Sequence, residues 1–324
     1  MTDGTKRPPA GSGWFGHECP DGPLCLIEVP FDATSSGQRV ARLGPAAMRK
    51  ASHQVEWSLP PAHCPVQRGC SVVQLDLKQL NDEASQAMQT LRRAQDCGDD
   101  TSSPQQTVEA ACHHVDTLLG EALNETWTQN RAVLVVGGDH GSVYAGMHEA
   151  IRRWPELGIL QIDAHADRRI AYEGITASHA SVMHRVRAAH PQTPLTQVGL
   201  RDMHPSERAR MEADPATTAF YDEDLVQQQF LGMPWAEQAR AIIASLPPQV
   251  WLTLDVDGLD PTLCPNTGTP VPGGLSFYQA CDLIERIKTS GRQLVGADLC
   301  EVAGESWDAN VGSRLAYRLL AALL

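Results

Sequence analysis

Short apolar runs, each long enough for one strand, recur along the chain between segments with helical periodicity. Residues 24–29, 132–136 and 159–163 consist largely of Leu, Ile and Val, a composition typical of strands buried on both faces. Runs of the same kind predict further strands at 71–77, 195–200, 217–221, 249–255 and 293–298. The chain is therefore predicted to contribute eight strands to its core.

The segments between these runs are predicted to be helices. The clearest begins after Ser103-Pro104, where Val108, Cys112 and Val115 recur at helical spacing. The other predicted helices cover 44–51, 142–154, 179–190, 205–213, 235–245, 276–289 and 308–323. Because strands and helices alternate, we expect an α/β protein with a parallel sheet that is covered on both faces.

Composition changes at two places in the chain. Residues 1–22 are polar and contain many Gly and Pro, which predicts a flexible N-terminal arm. Residues 78–103 are also polar and predict a surface insertion that contains one helix near 83–93. No internal repeat and no linker of domain-separating character appears elsewhere, so residues 23–324 are predicted to form a single domain.

The charge balance and the apolar runs exclude two classes of partner. Among 324 residues, 39 Asp and Glu against 26 Lys and Arg give a net charge of −13, which argues against a nucleic-acid surface and suits a cationic substrate. No apolar run approaches the roughly 18 residues of a membrane-spanning helix, so no membrane partner is expected. The nine cysteines lack C-x-x-C spacing and indicate reduced thiols in a cytoplasmic protein.

Three of the predicted strands end in residue types that bind metals. The strand at 132–136 leads into Gly137-Gly138-Asp139-His140, and two later strands lead into Asp-x-His-x-Asp and Asp-x-Asp. A spacing of two residues directs the side chains of an extended segment to one side, and the carboxyl ends of parallel strands share one edge of a sheet. The six candidate ligands are His140, Asp163, His165, Asp167, Asp255 and Asp257.

Four aspartates gathered at one edge repel each other unless cations lie among them, and two divalent ions would match their charge. Two histidines complete a set of nitrogen and oxygen donors that includes no cysteine. This set favours Mn²⁺, with Ni, Co, Fe or Zn as alternatives, over Ca²⁺ or Mg²⁺. Each motif alone also fits a turn or a solvated loop, but their joint occurrence at three strand ends favours a metal site.

A pair of metal ions about 3.5–4 Å apart can activate water at neutral pH, so the predicted site points to hydrolysis. His179 lies in the loop that leaves the Asp-x-His-x-Asp strand and is a candidate proton shuttle. Glu301 follows another predicted strand. By position alone, His179 also fits a residue with a local hydrogen bond at a helix start, and Glu301 fits a solvated loop acid.

These motifs together resemble the signatures of the ureohydrolase family, which contains arginases and agmatinases. Gly-Gly-Asp-His, Asp-Ala-His-Ala-Asp and Asp-Val-Asp-Gly-Leu-Asp-Pro occur here in the family's order. Thr267-Gly268-Thr269-Pro270 and the segment 306–312 look like agmatinases and agmatinase-like bacterial proteins. The resemblance runs from about residue 26 to the C-terminus and implies a three-layer α/β/α sandwich around a parallel sheet.

The resemblance also implies a role for each candidate residue. One metal would be held by His140, Asp163, Asp167 and Asp255. The other would be held by His165, Asp163, Asp255 and Asp257. Glu301 matches the glutamate that pairs with a guanidinium, and His179 matches the histidine proposed to carry protons to the leaving amine. The implied reaction splits a guanidino compound into urea and an amine, with two divalent ions as cofactors, Mn²⁺ first and Ni²⁺ as the alternative.

Two departures from the family pattern bear on the substrate. Gly141 stands where the family usually has Ser, and the usual proline after Glu301 is replaced by Val302. The loop 168–173 is also unlike the loop with which animal arginases hold an amino acid. We therefore expect an agmatine-like substrate, with arginine, or guanidine or a biguanide with nickel, as alternatives.

The resemblance implies a homo-oligomer, either a trimer or a hexamer. An interpretation of another class is a non-catalytic subunit in a hetero-oligomer that keeps the fold without turnover.

Overall fold

Eight parallel strands form one sheet in the computed structural model, which describes residues 13–17, 19–36, 40–60 and 63–324. The sheet order is β2-β1-β3-β8-β7-β4-β5-β6, and the predicted strands are confirmed. Their bounds are β1 (Leu24–Val29), β2 (Cys70–Gln74), β3 (Ala132–Gly137), β4 (Gly158–Ile162), β5 (Leu195–Leu200), β6 (Thr217–Tyr221), β7 (Gln249–Asp255) and β8 (Gln293–Cys300).

Helices cover both faces of the sheet, so the predicted α/β class and the three-layer arrangement are confirmed. Their bounds are α1 (Gly44–Ser52), α2 (Pro65–Arg68), α3 (Lys78–Cys97), α4 (Ser102–Thr128), α5 (Tyr144–Arg153), α6 (Val182–Ala189), α7 (Pro205–Glu212), α8 (Asp222–Phe230), α9 (Trp235–Ala244), α10 (Phe277–Thr289) and α11 (Ser306–Ala322). The helices α2 and α8 lack a predicted counterpart.

Strand residues alternate between two apolar layers because successive side chains point to opposite faces. Leu134 and Val136 of β3 belong to the apolar cluster that includes residues of α1, α9, α10 and α11, whereas Val133 and Val135 belong to the cluster that includes residues of α3, α4, α5 and α6. Both faces of the central strands are therefore largely apolar, and polar side chains gather toward the carboxyl ends of the strands.

The polar segment 78–103 is more ordered than its composition predicts. A helix was predicted only near 83–93, but α3 runs from Lys78 to Cys97 and packs against α4. Ala84, Met88 and Leu91 are buried at helical spacing, and these three residues are sufficient to fix one face of an otherwise polar helix.

The packed structure begins upstream of residue 23. Trp14 and Phe15 are buried, and Nε1 of Trp14 donates a hydrogen bond to Glu28 Oε1 at 2.8 Å. The prediction of a flexible arm over 1–22 therefore does not hold for this part. Residues 1–12 of that prediction lie outside the described residues. No helix in the described part of the chain is both long and apolar enough to cross a membrane.

Candidate metal centre and substrate cavity

The carboxyl ends of the four central strands meet at one edge of the sheet, in the order β3, β8, β7, β4. His140 follows β3, Glu301 follows β8, Asp255 ends β7, and Asp163 follows β4. A cavity of about 210 Å³ opens there. Its lining includes seven of the eight candidate site residues, namely His140, His165, Asp167, His179, Asp255, Asp257 and Glu301. The eighth, Asp163, is buried beside His140.

The candidate ligands fall into three overlapping groups, namely His140 with Asp163 and Asp167, Asp163 with His165 and Asp257, and His140 with Asp255 and Cys300. In the first group, His140 Nδ1 lies 2.9 Å from Asp167 Oδ2 and 3.2 Å from Asp163 Oδ2, and it lies 3.6 Å from Asp255 Oδ2 of the third group. In the second group, His165 Nδ1 lies 2.9 Å from Asp257 Oδ2 and 3.7 Å from Asp163 Oδ1. Each oxygen of Asp163 thus faces a different group.

The hydrogen bonds of His140 show whether this donor set suits a cation. Its Nε2 lies 2.8 Å from Thr253 Oγ1, and that hydroxyl donates to Asp298 Oδ1 at 2.6 Å. Because the hydroxyl proton is directed at Asp298, Thr253 accepts the Nε2 proton, and Nδ1 is left with its lone pair toward the carboxylates. Nδ1 is buried and has no hydrogen-bond partner among the residues that the structure describes.

A lone pair facing carboxylate oxygens is repulsive unless a positive charge lies between them. Burial disfavours the charged imidazole, but Asp163 and Asp167 outweigh burial and raise the pKa of His140. A proton on Nδ1 can form a hydrogen bond to one of these oxygens, whereas a divalent cation placed between the atoms attracts the nitrogen and all of the oxygens at once. The residues therefore fit a metal ion.

The candidate carboxylate ligands also repel one another. Burial, followed by the charges of Asp167 and Asp257, raises the pKa of Asp163 to about 7. Burial and the neighbouring Asp257 also raise the pKa of Asp255. Cations placed among these side chains would remove the repulsion, because they favour the ionised form of every carboxylate that they contact.

Polar residues inside the strands orient the candidate ligands. Gln161 Nε2 donates to Asp163 Oδ2 at 2.6 Å, and Asp298 accepts from Thr253 and from Trp251 Nε1. Sequence reasoning missed Gln161 and Thr253. The available signal was a polar residue in a buried strand two positions before a ligand, which places it on the same face.

Glu301 is buried at the edge of the cavity and has a left-handed backbone, with φ of 61°. Its Oε1 accepts a hydrogen bond from the backbone N–H of His140 at 2.9 Å. Burial, followed by the charge of Asp139, raises the pKa of its carboxyl group. Asp167 also has a positive φ, of 50°. Such strain in residues other than glycine is found preferentially at functional sites.

His179 is held by three side chains beside the cavity. Its Nε2 lies 2.8 Å from Ser36 Oγ, its Nδ1 lies 3.4 Å from Thr34 Oγ1, and the ring of Tyr172 meets it edge-on at 5.4 Å. Its desolvated position lowers the pKa of His179 to about 4. The imidazole is therefore neutral at pH 7.

Gly141 allows the segment that carries His179 to approach the segment that carries His140. A Cβ at this position would lie 3.0 Å from the backbone nitrogen of His179 and 3.1 Å from the carbonyl carbon of Ser178. The hydroxyl of Ser142 meanwhile donates to Asp139 O at 2.6 Å and accepts from Gly138 N at 3.2 Å. The departure at Gly141 thus coincides with close backbone packing, and Ser142 supports the turn.

Among the described residues that line the cavity, one carboxylate is exposed, at its mouth. The side chain of Asp202 is 68% exposed, and its Oδ2 lies 4.0 Å from His165 Nε2, beyond hydrogen-bond reach. Arg169 lies 3.5 Å from Glu207 Oε2. Glu173, which follows Tyr172 of the cavity lining, is paired with Arg92 at 2.7 Å.

The chain is similar in sequence and in fold to several known proteins. The arginase family model matches residues 23–324. The N(1)-aminopropylagmatine ureohydrolase of Thermus thermophilus is 28% identical over 280 residues, which cover 86% of this chain and 82% of that protein. The agmatinase of Proteus mirabilis is 26% identical over 292 residues, covering 87% and 80%. The solved agmatine ureohydrolase of Thermoplasma volcanium shares the fold, with a TM-score of 0.72 at 18% identity over 98% of this chain and 94% of that one.

Proposed function

The chain belongs to the arginase family of amidinohydrolases, and from this premise we propose that it releases urea from a small cationic guanidino compound of the agmatine type. A single observation carries the proposal. One cavity brings together the candidate metal ligands, the buried carboxylate of Glu301 and the exposed carboxylate of Asp202. A cationic guanidinium and a cationic tail would each find a carboxylate in it.

Two divalent cations are proposed as cofactors. One would be held by His140, Asp163, Asp167 and Asp255. The other would be held by His165, Asp163, Asp255 and Asp257. The mixed imidazole and carboxylate donors favour Mn²⁺, with Ni²⁺ as the alternative. When bound, the two cations would lower the pKa of water and so supply the nucleophile.

Two residues are proposed to act on the substrate directly. Glu301 would bind the guanidinium through charge-assisted hydrogen bonds, which are strong in a buried site. The neutral imidazole of His179 would accept a proton as the water oxygen bonds to the guanidinium carbon, and would then pass it to the leaving nitrogen. The C–N bond to the tail breaks, and the amine leaves as an ammonium that carries both protons of the water.

Asp202 is proposed to bind the cationic tail. It lies at the mouth of the cavity that contains Glu301, and its Oδ2 lies 4.0 Å from His165 Nε2. The positive charge of Arg169 is offset by Glu207, which leaves Asp202 as the carboxylate best placed to meet an incoming ammonium. This favours an amine tail, as in agmatine, over a tail that ends in a carboxylate.

Asp202→Asn is expected to raise KM for agmatine about fivefold, because an exposed ion pair contributes up to about 1 kcal/mol. The value of kcat should stay within about twofold, since the tail is remote from the bond that breaks. Asp224→Asn, a change of an exposed acid in the first turn of α8, removes the same charge and serves as the control. An unchanged KM for agmatine in Asp202→Asn, with full metal content, would rule out this tail contact.

Urea release by protein reconstituted separately with Mn²⁺ and Ni²⁺ tests the proposed function. The substrates are agmatine, N(1)-aminopropylagmatine, arginine, guanidinobutyrate, guanidinopropionate, guanidine and a biguanide, with the amine product assayed alongside. We expect agmatine or its aminopropyl derivative to be turned over with Mn²⁺. Turnover confined to guanidine or a biguanide with Ni²⁺ would show that the substrate is one of these compounds and not an agmatine-type amine. No turnover by metal-loaded protein would contradict the proposal and point to a missing second chain.

A further inference from the structure

We propose that Arg92, on α3, is a positioning residue that sets the orientation of the His179 imidazole. The inference rests on the role proposed above for His179, and it assigns a function to a segment whose composition predicts only a surface insertion. One guanidinium group contacts both of the chain segments that flank the imidazole.

The first flanking segment is the turn of residues 172–175. Tyr172 and Ile175 exchange backbone hydrogen bonds of 2.8 and 2.9 Å across it. The two central residues, Glu173 and Gly174, have φ of 48° and 83°. A turn with two positive φ values suits Asn-Gly or Gly-Gly far better than Glu-Gly, so contacts outside the turn have to stabilise Glu173 in this conformation.

Arg92 supplies the side-chain part of that stabilisation. Its Nε and Nη2 donate to Glu173 Oε2 at 2.9 and 2.7 Å. Gln95, one turn further along α3, donates to the backbone oxygen of Glu173 at 2.9 Å. The residue before Glu173 is Tyr172, whose ring packs edge-on against His179 at an interplanar angle of 79°. The Arg92 contact therefore holds in place the Tyr172 ring, against which the His179 imidazole packs.

The second flanking segment is held by the same guanidinium. Arg92 Nη2 also donates to the backbone oxygen of Ser35 at 2.9 Å. The next residue, Ser36, places its hydroxyl 2.8 Å from His179 Nε2. Because a guanidinium is planar and its donors keep fixed directions, it holds Ser35 and Glu173 at one relative position. Lysine has one charged centre and cannot do the same.

This arrangement bears on proton transfer. A proton-transfer group has to lie within hydrogen-bond reach of its partner, and a displacement of about 1 Å can lower the rate about 100-fold. Without Arg92, the turn at 172–175 and the segment at 35–36 lose their common support, and the imidazole can rotate or shift. The expected consequence is a slower chemical step with little change in substrate binding.

Arg92→Gln tests the inference against Arg93→Gln, which removes the same charge from the neighbouring exposed position of α3. With any guanidino substrate that is turned over, we expect Arg92→Gln to lower kcat about tenfold with KM within about twofold. Arg93→Gln should leave both unchanged. In a His179→Ala background, Arg92→Gln should cause no further loss. Independent, additive losses would overturn the inference, because they would show that Arg92 acts elsewhere.

A second readout does not depend on activity. The long-range ¹H–¹⁵N NMR correlations of the His179 ring can be assigned by their disappearance in His179→Ala. Their chemical shifts should change in Arg92→Gln and stay the same in Arg93→Gln. The melting temperature of both variants should equal that of the unmodified protein. Unmoved correlations in Arg92→Gln would overturn the inference whatever the kinetics. If the unmodified protein releases no urea from any substrate, the proposed function fails separately, and this measurement still decides the role of Arg92.

Discussion

Asp163→Asn is expected to release both metal ions and to lower kcat/KM by about 10³-fold, which corresponds to about 4 kcal/mol of lost transition-state stabilisation. Asp163 belongs to two of the groups of candidate ligands, and with Asp255 it is proposed to contact both cations. Its Oδ2 lies 3.2 Å from His140 Nδ1 and its Oδ1 lies 3.7 Å from His165 Nδ1. An asparagine keeps the shape of the side chain but removes one of the four negative charges that would balance two divalent cations.

Metal content after dialysis, measured by mass spectrometry, checks this expectation together with urea release. Asp260→Asn is the matched control, since Asp260 accepts hydrogen bonds from Thr262 outside the cavity and undergoes the same chemical change. The melting temperature of metal-free Asp163→Asn protein, compared with that of metal-free wild type, checks that the fold is retained, because the substitution lowers the repulsion from Asp167 and Asp257 but gives up one of the hydrogen bonds that Asp163 accepts from Gln161 Nε2 and His165 N. Two metals retained per chain would refute the shared-ligand role.

The site could be predicted as far as its residues lie on strands with a clear pattern. Asp163 and Asp255 stand at the ends of apolar runs, His140 follows another run after Gly-Gly-Asp, and parallel strands bring their carboxyl ends to one edge. The position of a residue at the end of a strand and a spacing of two residues between ligands therefore predict that the candidate ligands lie at one edge of the sheet. This prediction does not require the order of the strands.

The residues that orient the ligands could not be predicted because their partners depend on sheet register. Thr253 is paired directly with Asp298 across β7 and β8, 45 positions away in the chain, and this pairing sends the Thr253 hydroxyl to Asp298 and the His140 ring to Thr253. A shift of one residue would turn one of these side chains to the other face. Spacing along the chain carries no information about which register forms.

Contacts made by polar helices were missed for a related reason. The sequence of α3 is polar, and its buried Ala84, Met88 and Leu91 give only a narrow apolar stripe. Arg92 meets Glu173 81 positions later, so its role depends on how α3 packs rather than on any local pattern. Trp14 was likewise placed in a flexible arm because it is surrounded by Gly and Pro, although its large ring is buried in the domain.

Glu301→Gln is expected to lower kcat/KM by about 10²- to 10³-fold for every guanidino substrate, because it removes the charge of one partner in a buried ion pair, a loss of about 2–5 kcal/mol. Glu301 Oε1 accepts from His140 N at 2.9 Å, and a glutamine oxygen can accept the same bond. We therefore expect the fold and the metal content to be retained. Glu305→Gln changes an exposed glutamate just before α11 and provides the control.

The dependence on substrate separates this effect from that of Asp202. A carboxylate that binds the guanidinium acts on the part that all substrates share, so Glu301→Gln should slow agmatine and guanidine by similar factors. A carboxylate that binds the tail should matter for agmatine and not for guanidine, which has no tail. Turnover of Glu301→Gln within about threefold of wild type for both compounds would be incompatible with a guanidinium contact. A loss confined to agmatine would instead place Glu301 at the tail, with the guanidinium bound by other groups of the cavity.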